Sequence, residues 1–104
     1  MKKPRITIVG SVNMDLVFKT PRMPAVGETI LGQEFHQIPG GKGANQAVAA
    51  VRQGADVTLI GRVGEDNFGS HLLACLLDDG VDISYLSRQA NMATGVAGIL
   101  DDDK

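Results

Sequence analysis

The chain has 104 residues, a formal net charge of −2, an apolar fraction of 43% and one cysteine. This length fits one small domain or a piece of a larger one, and the apolar fraction is that of a globular protein rather than a disordered chain. The charge shows no basic surplus, which argues against nucleic acid or an anionic membrane as the partner. No apolar run approaches the length of a membrane span and no signal-peptide core follows Met1, so we expect a cytoplasmic protein.

The first predicted element is a buried strand over residues 5–10, which ends in Gly10. Asn13 and Asp15 follow just beyond its carboxyl end, which is where ligands bind in open α/β sheets. An amide and a carboxylate at this spacing can bind a polar ligand, or they can bond to their own backbone in an Asx-type turn. The spacing alone favours neither interpretation.

The segment from Leu16 to Gln37 has no helical pattern, since it holds two prolines and two glycines between β-favouring pieces. Those pieces are Leu16–Phe18 and Glu28–Leu31, and we predict a pair of strands outside the main sheet. The dipeptide Ile38–Pro39 predicts a turn. An extension over the strand ends can act as a lid or be wholly structural, and the sequence does not separate these roles.

A glycine-rich stretch from Gly40 to Gly43 runs directly into a helix pattern whose apolar face consists of small residues. Glycines leave backbone N–H groups open to a ligand, and the helix N-terminus adds a partial positive charge to the full charge of Lys42. The stretch is not a Walker A loop, because Gly43 stands where Ser or Thr is needed, and Gln46 replaces the last glycine of the dinucleotide fingerprint. We therefore predict a polar-ligand site, with a simple helix-starting turn as the alternative.

The rest of the sequence alternates strands and helices. Gly54 is predicted to end the first helix, residues 56–61 form a second buried strand, and Asp66 caps a second helix in which Cys75 is a small buried hydrophobe. Strands are predicted over residues 81–86 and 94–100, and the β-α-β-α-β order indicates a parallel sheet. The aspartates at 101–103 suit a hairpin turn with nothing after it, so we expect a truncated chain.

Four motifs occur in order along the chain: Gly-Ser-Val-Asn-Met-Asp at 10–15, Pro-x-x-Gly-Glu-Thr at 24–29, Gly-Gly-Lys-Gly-Ala-Asn-Gln-Ala at 40–47 and Gly-Arg-Val-Gly-x-Asp-x-x-Gly at 61–69. Together they resemble the amino-terminal part of the ribokinase family of carbohydrate kinases, which also contains fructokinases and adenosine kinase. The resemblance covers nearly the whole chain, and the wording of the third motif is closer to ribokinases than to their relatives.

The resemblance implies a Rossmann-like α/β domain, with a parallel sheet, helices on both faces and a small β-sheet lid. The lid strands would lie within residues 16–37 and 94–104, and the remainder of 1–104 would form the α/β core. Such enzymes transfer the γ-phosphoryl of ATP to D-ribose or a similar sugar, use Mg²⁺ and K⁺, and form a homodimer through the lid. Carried over by position, the residues that would bind the sugar are Asn13, Asp15, Gly41, Lys42 and Asn45.

The sequence departs from the family in one large respect. The catalytic aspartate of the family lies in a Gly-Ala-Gly-Asp-type motif far toward the carboxyl end, beside the anion hole and ATP pocket, and this sequence contains none of these. We therefore expect no catalytic and no metal-ligating residue in the chain, and no activity from it alone. The alternatives are a fructokinase or nucleoside kinase of the same family, or a truncated, non-catalytic binding or interaction module.

Overall fold

The computed structural model describes residues 3–103, over which the chain forms two helices and six strands. In chain order these are β1 (Arg5–Val9), β2 (Asn13–Thr20), β3 (Glu34–Gly40), α1 (Lys42–Arg52), β4 (Asp56–Gly64), α2 (Asn67–Asp78), β5 (Leu86–Gln89) and β6 (Val96–Asp102). Within this range one parallel sheet has the order β1-β4-β5, and a second sheet has the order β3-β2-β6. Neither of these two helices is long and apolar enough to cross a membrane.

The parallel sheet confirms the predicted Rossmann-like architecture, and its two faces differ sharply. Val57, Leu59 and Val63 point from β4 into the core beneath the two helices and are buried. On the opposite face Val9 is 78% exposed and Ile60 is 37% exposed. Helices were expected on both faces, but over residues 3–103 both pack on the Leu59 side, and the other face is open.

The helices begin and end where the sequence predicts. Asp66 caps α2, and its side chain accepts a hydrogen bond from the Gly69 N–H at 2.8 Å. Gly54, just past α1, has a φ of 96°, a left-handed conformation that glycine adopts without a Cβ penalty. Cys75 was expected to be buried, but it is only half-buried, with its Sγ 3.6 Å from His71 Nε2.

The second sheet differs from the prediction in its second strand. Glu28–Leu31 is not a strand, and β3 instead runs through Ile38–Pro39, where a turn was predicted. Proline is tolerated here because β3 pairs only with β2 and therefore lies at the edge of the sheet, where a missing N–H costs no ladder bond. The Glu28 carboxylate instead forms an ion pair outside the sheet, in which it accepts two hydrogen bonds from the Arg22 guanidinium at 2.6 and 2.7 Å.

The two later strands are shifted along the chain. The strand predicted over 81–86 begins at Leu86, because the Asp82 carboxylate accepts bonds from the Ser84 N–H and hydroxyl and forms a local turn. Asp82 keeps an isolated bridge to Thr58. Asp101 and Asp102, expected in a hairpin turn, belong to β6, and Asp101 pairs with Lys19 of β2.

Candidate functional site

Asn13 and Asp15 lie just beyond the end of β1, as predicted, but they belong to the strand β2 and not to an Asx-type turn. Being two residues apart on one strand, they project from the same face of the sheet. Both are half-buried, and Asn13 Nδ2 donates a hydrogen bond to Asp15 Oδ1 at 2.9 Å. This bond orients the amide and leaves Asp15 Oδ2 without a hydrogen-bond donor from residues 3–103. The pair thus presents carboxylate and amide oxygens as acceptors on one face.

Gly40 lies directly across from this pair, although it was not among the predicted site residues. It is opposite Asn13 in the β2–β3 ladder and is buried. A Cβ at this position would lie 2.7 Å from Asp15 Oδ2 and 2.9 Å from Asp15 Cγ, closer than real Cβ atoms approach. The Asp15 carboxylate therefore packs directly against the backbone of Gly40, where no side chain would fit. The first glycine of the glycine-rich stretch was the only signal for this role in the sequence.

Gly41 forms the N-cap of α1, with a φ of 101°. A Cβ there would lie 2.6 Å from the carbonyl oxygen of Ser11 and 2.9 Å from Val12 Cα. From the sequence, glycine at this position was predicted to allow the close approach of a ligand. The structure shows that the close approach of its own backbone to the β1–β2 connection also requires glycine.

Ser11 makes the hydrogen bonds that a capping side chain would make at the start of α1, because the N-cap residue Gly41 has no side chain. Its hydroxyl accepts the Lys42 N–H at 3.2 Å, and its carbonyl oxygen accepts the Ala44 N–H at 3.0 Å. This fixes the start of α1 beside the residues that lead into β2. Ser11 was not singled out from the sequence, because its partners lie about thirty residues away.

Four of the five predicted site residues meet where β2, β3 and the N-terminus of α1 converge. The β2–β3 register places Asn13 against Gly40, and Gly41 and Lys42 follow immediately, with the Lys42 side chain in solvent. Asn45 lies one turn further along α1 and is exposed. It lines a groove of about 390 Å³ between α1 and α2, and no hydrogen bond within the described range joins it to Asn13 or Asp15.

A second polar network lies at the N-terminus of α2. The Asp66 carboxylate accepts a bond from the Thr94 hydroxyl at 2.6 Å and from the Thr94 N–H at 2.9 Å, besides the capping bond from Gly69. These bonds, with those from Thr94 the strongest, lower the pKa of Asp66 below its ordinary value. The sequence predicted the cap but not Thr94, which is 28 residues away along the chain.

The arrangement on β2 and α1 suits a polyhydroxylated ligand. An ionised carboxylate can accept from two neighbouring hydroxyls, and bonds to a charged acceptor are stronger than those between neutral groups. The amide of Asn13 offers an acceptor, and the ammonium of Lys42 offers up to three donors. No three His, Cys, Asp or Glu side chains cluster as metal ligands in the part of the chain that the structure describes.

Comparison with known proteins gives consistent matches along the chain. The sequence model of the pfkB family carbohydrate kinases matches residues 3–104. The ribokinase of Bacillus subtilis (strain 168) is 45% identical over 95 residues, which cover 91% of this chain and 32% of that protein. The ribokinase of Schizosaccharomyces pombe is 46% identical over 101 residues, with 91% and 32% covered.

Among solved structures, that of Arabidopsis thaliana ribokinase complexed with ribose and ATP superposes with a TM-score of 0.85 at 35% identity. The match covers 98% of this chain and 33% of that protein. The chain therefore spans about a third of the length of the relatives it matches.

Proposed function

The chain belongs to the pfkB family of carbohydrate kinases, and on that basis we propose that it is the sugar-binding part of a ribokinase. The full-length enzyme would use ATP to phosphorylate D-ribose to ribose 5-phosphate. Because the chain spans about a third of its relatives, this activity is proposed for the full-length enzyme and not for the 104 residues alone. The observation that carries the proposal is the convergence of Asn13, Asp15, Gly41 and Lys42 at one place in the fold.

We assign the sugar hydroxyls first to Asp15. Its Oδ2 is free to accept, and its Oδ1 is held by Asn13, so the carboxylate is oriented before a ligand arrives. Ribose carries vicinal hydroxyls at the spacing that a carboxylate can accept together. Lys42 and the backbone of Gly41 would contact the sugar from the start of α1. We keep Asn45 as a ribose ligand one helical turn away, which requires its side chain to turn from the α1–α2 groove.

ATP, Mg²⁺ and K⁺ belong to the proposal for the full-length enzyme. ATP as co-substrate is supported by the Arabidopsis relative, which was solved with ribose and ATP. Phosphoryl transfer needs groups that position the γ-phosphate and stabilise its charge, and Mg²⁺ supplies part of that stabilisation when bound. We assign no residue of this chain to either ion, and we place no catalytic residue in it.

We also propose that the sheet β3-β2-β6 is a lid over the sugar and a contact between two copies. The outer end of its apolar face carries Phe18, Phe35 and Leu100, which are neighbours in the ladder and each at least 40% exposed. The Phe18 and Phe35 rings lie 5.0 Å apart between centroids. A second copy in the cytoplasm would bury this apolar surface, which is the reason for assigning the homodimer to the lid.

The gene beyond Lys104 provides the first test. An in-frame continuation that encodes a Gly-Ala-Gly-Asp motif supports a ribokinase, whereas a stop codon supports a truncated binding or interaction module. The full-length product is then assayed for ADP release with ribose, fructose and a nucleoside at matched concentrations. The proposal expects the highest kcat/KM for ribose, and a clear preference for fructose or the nucleoside would replace ribokinase by one of the related kinases.

A further inference from the structure

Asp66 makes more hydrogen bonds than the capping of α2 requires, and the additional bonds connect α2 to the residues before β6. A cap needs one carboxylate oxygen, and Asp66 Oδ1 fulfils that role by accepting the Gly69 N–H. The remaining bonds go to Thr94, in the segment that leads into β6, through both its hydroxyl and its N–H. The Thr94 hydroxyl in turn accepts the Gly64 N–H at 2.9 Å, so it acts as both donor and acceptor. Thr94 is only 5% exposed.

This network continues to the candidate sugar site through the next residue. The carbonyl oxygen of Gly95 accepts the Met14 N–H at 3.0 Å. Met14 is fully buried and stands between Asn13 and Asp15 in β2. Gly95 also lies against Asn13, since a Cβ on Gly95 would be 3.5 Å from the Asn13 Cβ, an ordinary contact distance. The segment that Asp66 holds is therefore in direct contact with the backbone that carries both acceptors.

The same bonds determine where β6 joins β2. Their pairing starts at Met14 and Val96, two residues after Thr94. A displacement of Thr94 would move the start of β6, and β6 flanks β2 on the side opposite β3. Because Asp15 sits over Gly40 with no room for a Cβ, a small shift of β2 is enough to misplace its carboxylate.

We infer that Asp66 is a positioning residue for the sugar site: it holds Thr94 and Gly95, and through them the β2 backbone at Asn13 and Asp15. It does not touch the ligand. The inference relies on the proposed function for the identity of the ligand, but its structural part is testable without any ligand.

The test uses four variants of the chain. Asp66→Asn keeps the volume of the side chain but replaces one carboxylate oxygen by an NH₂ group. That group would face the N–H of Thr94 or of Gly69, and it cannot accept a hydrogen bond from either. Thr94→Val keeps the volume and loses the hydroxyl, whereas Thr94→Ser retains it and should behave as the wild type. Asp82→Asn is the matched control, because the Asp82 carboxylate also accepts bonds from a backbone N–H and a hydroxyl, both of Ser84. Asp82 lies beside Thr58 near the start of β4, away from Thr94.

The first readout is amide hydrogen exchange by NMR, with global stability measured separately. We expect the Met14 amide to exchange about tenfold faster in Asp66→Asn and Thr94→Val, since the loss of a charge-assisted bond loosens the segment at Thr94 locally. The side-chain amide signals of Asn13 should shift in both variants. Thr94→Ser and Asp82→Asn should leave Met14 and Asn13 unchanged. If Asp66→Asn does not fold, Thr94→Val decides the question alone.

The second readout is the dissociation constant for ribose, which should rise about tenfold in Asp66→Asn and Thr94→Val only. Unchanged Met14 exchange and Asn13 signals in folded Asp66→Asn or Thr94→Val would overturn the inference. If the wild-type chain does not bind ribose, the proposed function fails for this chain, while the exchange data still decide whether Asp66 positions β2.

Discussion

Replacing Gly41 by alanine should destabilise the fold severely, and Gly54→Ala provides a matched comparison. Both glycines have similar positive φ values, 101° and 96°. For Gly54→Ala we expect the penalty of about 1–2 kcal/mol for an L-residue with a left-handed φ, whereas Gly41, whose ψ is 138°, lies in a region essentially restricted to glycine, where strain costs about 1–3 kcal/mol. They differ in their surroundings, because a Cβ on Gly54 meets nothing within 4 Å, whereas one on Gly41 would lie 2.6 Å from the Ser11 carbonyl oxygen.

The clash at Gly41 involves backbone, which cannot rotate away as a flexible side chain would. Relieving it must move either α1 or the connection that holds both Lys42 and Ala44 through Ser11. Overpacking of this kind costs about 1–3 kcal/mol, so with the backbone strain we expect a total loss of about 2–6 kcal/mol for Gly41→Ala and about 1–2 kcal/mol for Gly54→Ala. Equilibrium unfolding in urea measures both values. Equal losses in the two variants would refute the steric reasoning and return Gly41 to a role in ligand approach alone.

Three further predictions follow from the same structure. Asp15→Ala should weaken the binding of ribose by roughly 2–4 kcal/mol, since one hydrogen bond to a charged group contributes about 1.5–3 kcal/mol. Substitution of the exposed Asp78 by alanine should leave ribose binding unchanged, and an unchanged ribose affinity of Asp15→Ala in calorimetry would contradict the assignment. The Arg22 guanidinium and then the Ala25 N–H lower the pKa of Glu28 from its ordinary 4.5 to about 2, so the stability this turn contributes is present above the ordinary pKa and is lost as pH falls toward 2. NMR titration of the Ala25 amide checks this, and a midpoint near 4.5 would exclude the ion pair. Finally, the chain alone should release no ADP with ribose, Mg²⁺, K⁺ and ATP, and robust turnover would contradict this expectation. Light scattering should show that the chain self-associates, because it exposes apolar surface on the open sheet face and on the lid; a stable monomer would contradict that expectation.

The parts of the fold that were predictable from sequence depend on neighbours close in the chain. The Asp66 cap needs only Gly69, three residues on, and Gly54 ends α1 through its own φ. β3 was missed because Pro39 usually marks a turn, and only the edge position of the strand makes proline acceptable. Glu28–Leu31 has strand propensity, but the ion pair of Glu28 with Arg22 holds that segment in a loop.

The candidate site shows the same division. The residue types at Asn13, Asp15 and Lys42 indicated a polar ligand, and the resemblance to carbohydrate kinases indicated which one. The contacts that seat these groups join residues far apart in the chain: Gly40 under Asp15, Ser11 at the start of α1, and Thr94 on Asp66. Single-sequence reasoning has no local signal for such pairs, because they depend on the register of β2 with β3 and β6.

A ribose titration of the isotope-labelled chain, followed by NMR, tests the proposed sugar site most directly. The convergence of Asn13 and Asp15 with the N-terminus of α1 predicts saturable shifts of the Asn13 side-chain amide, the Asp15 backbone amide and the amides of Gly41 and Lys42. The same titration of Asp15→Ala should leave these signals unmoved, and Asp78→Ala should respond as the wild type. Shifts confined to another region, such as the groove of about 740 Å³ lined by Phe68 and His71, or no shifts at all, would contradict the proposed sugar site.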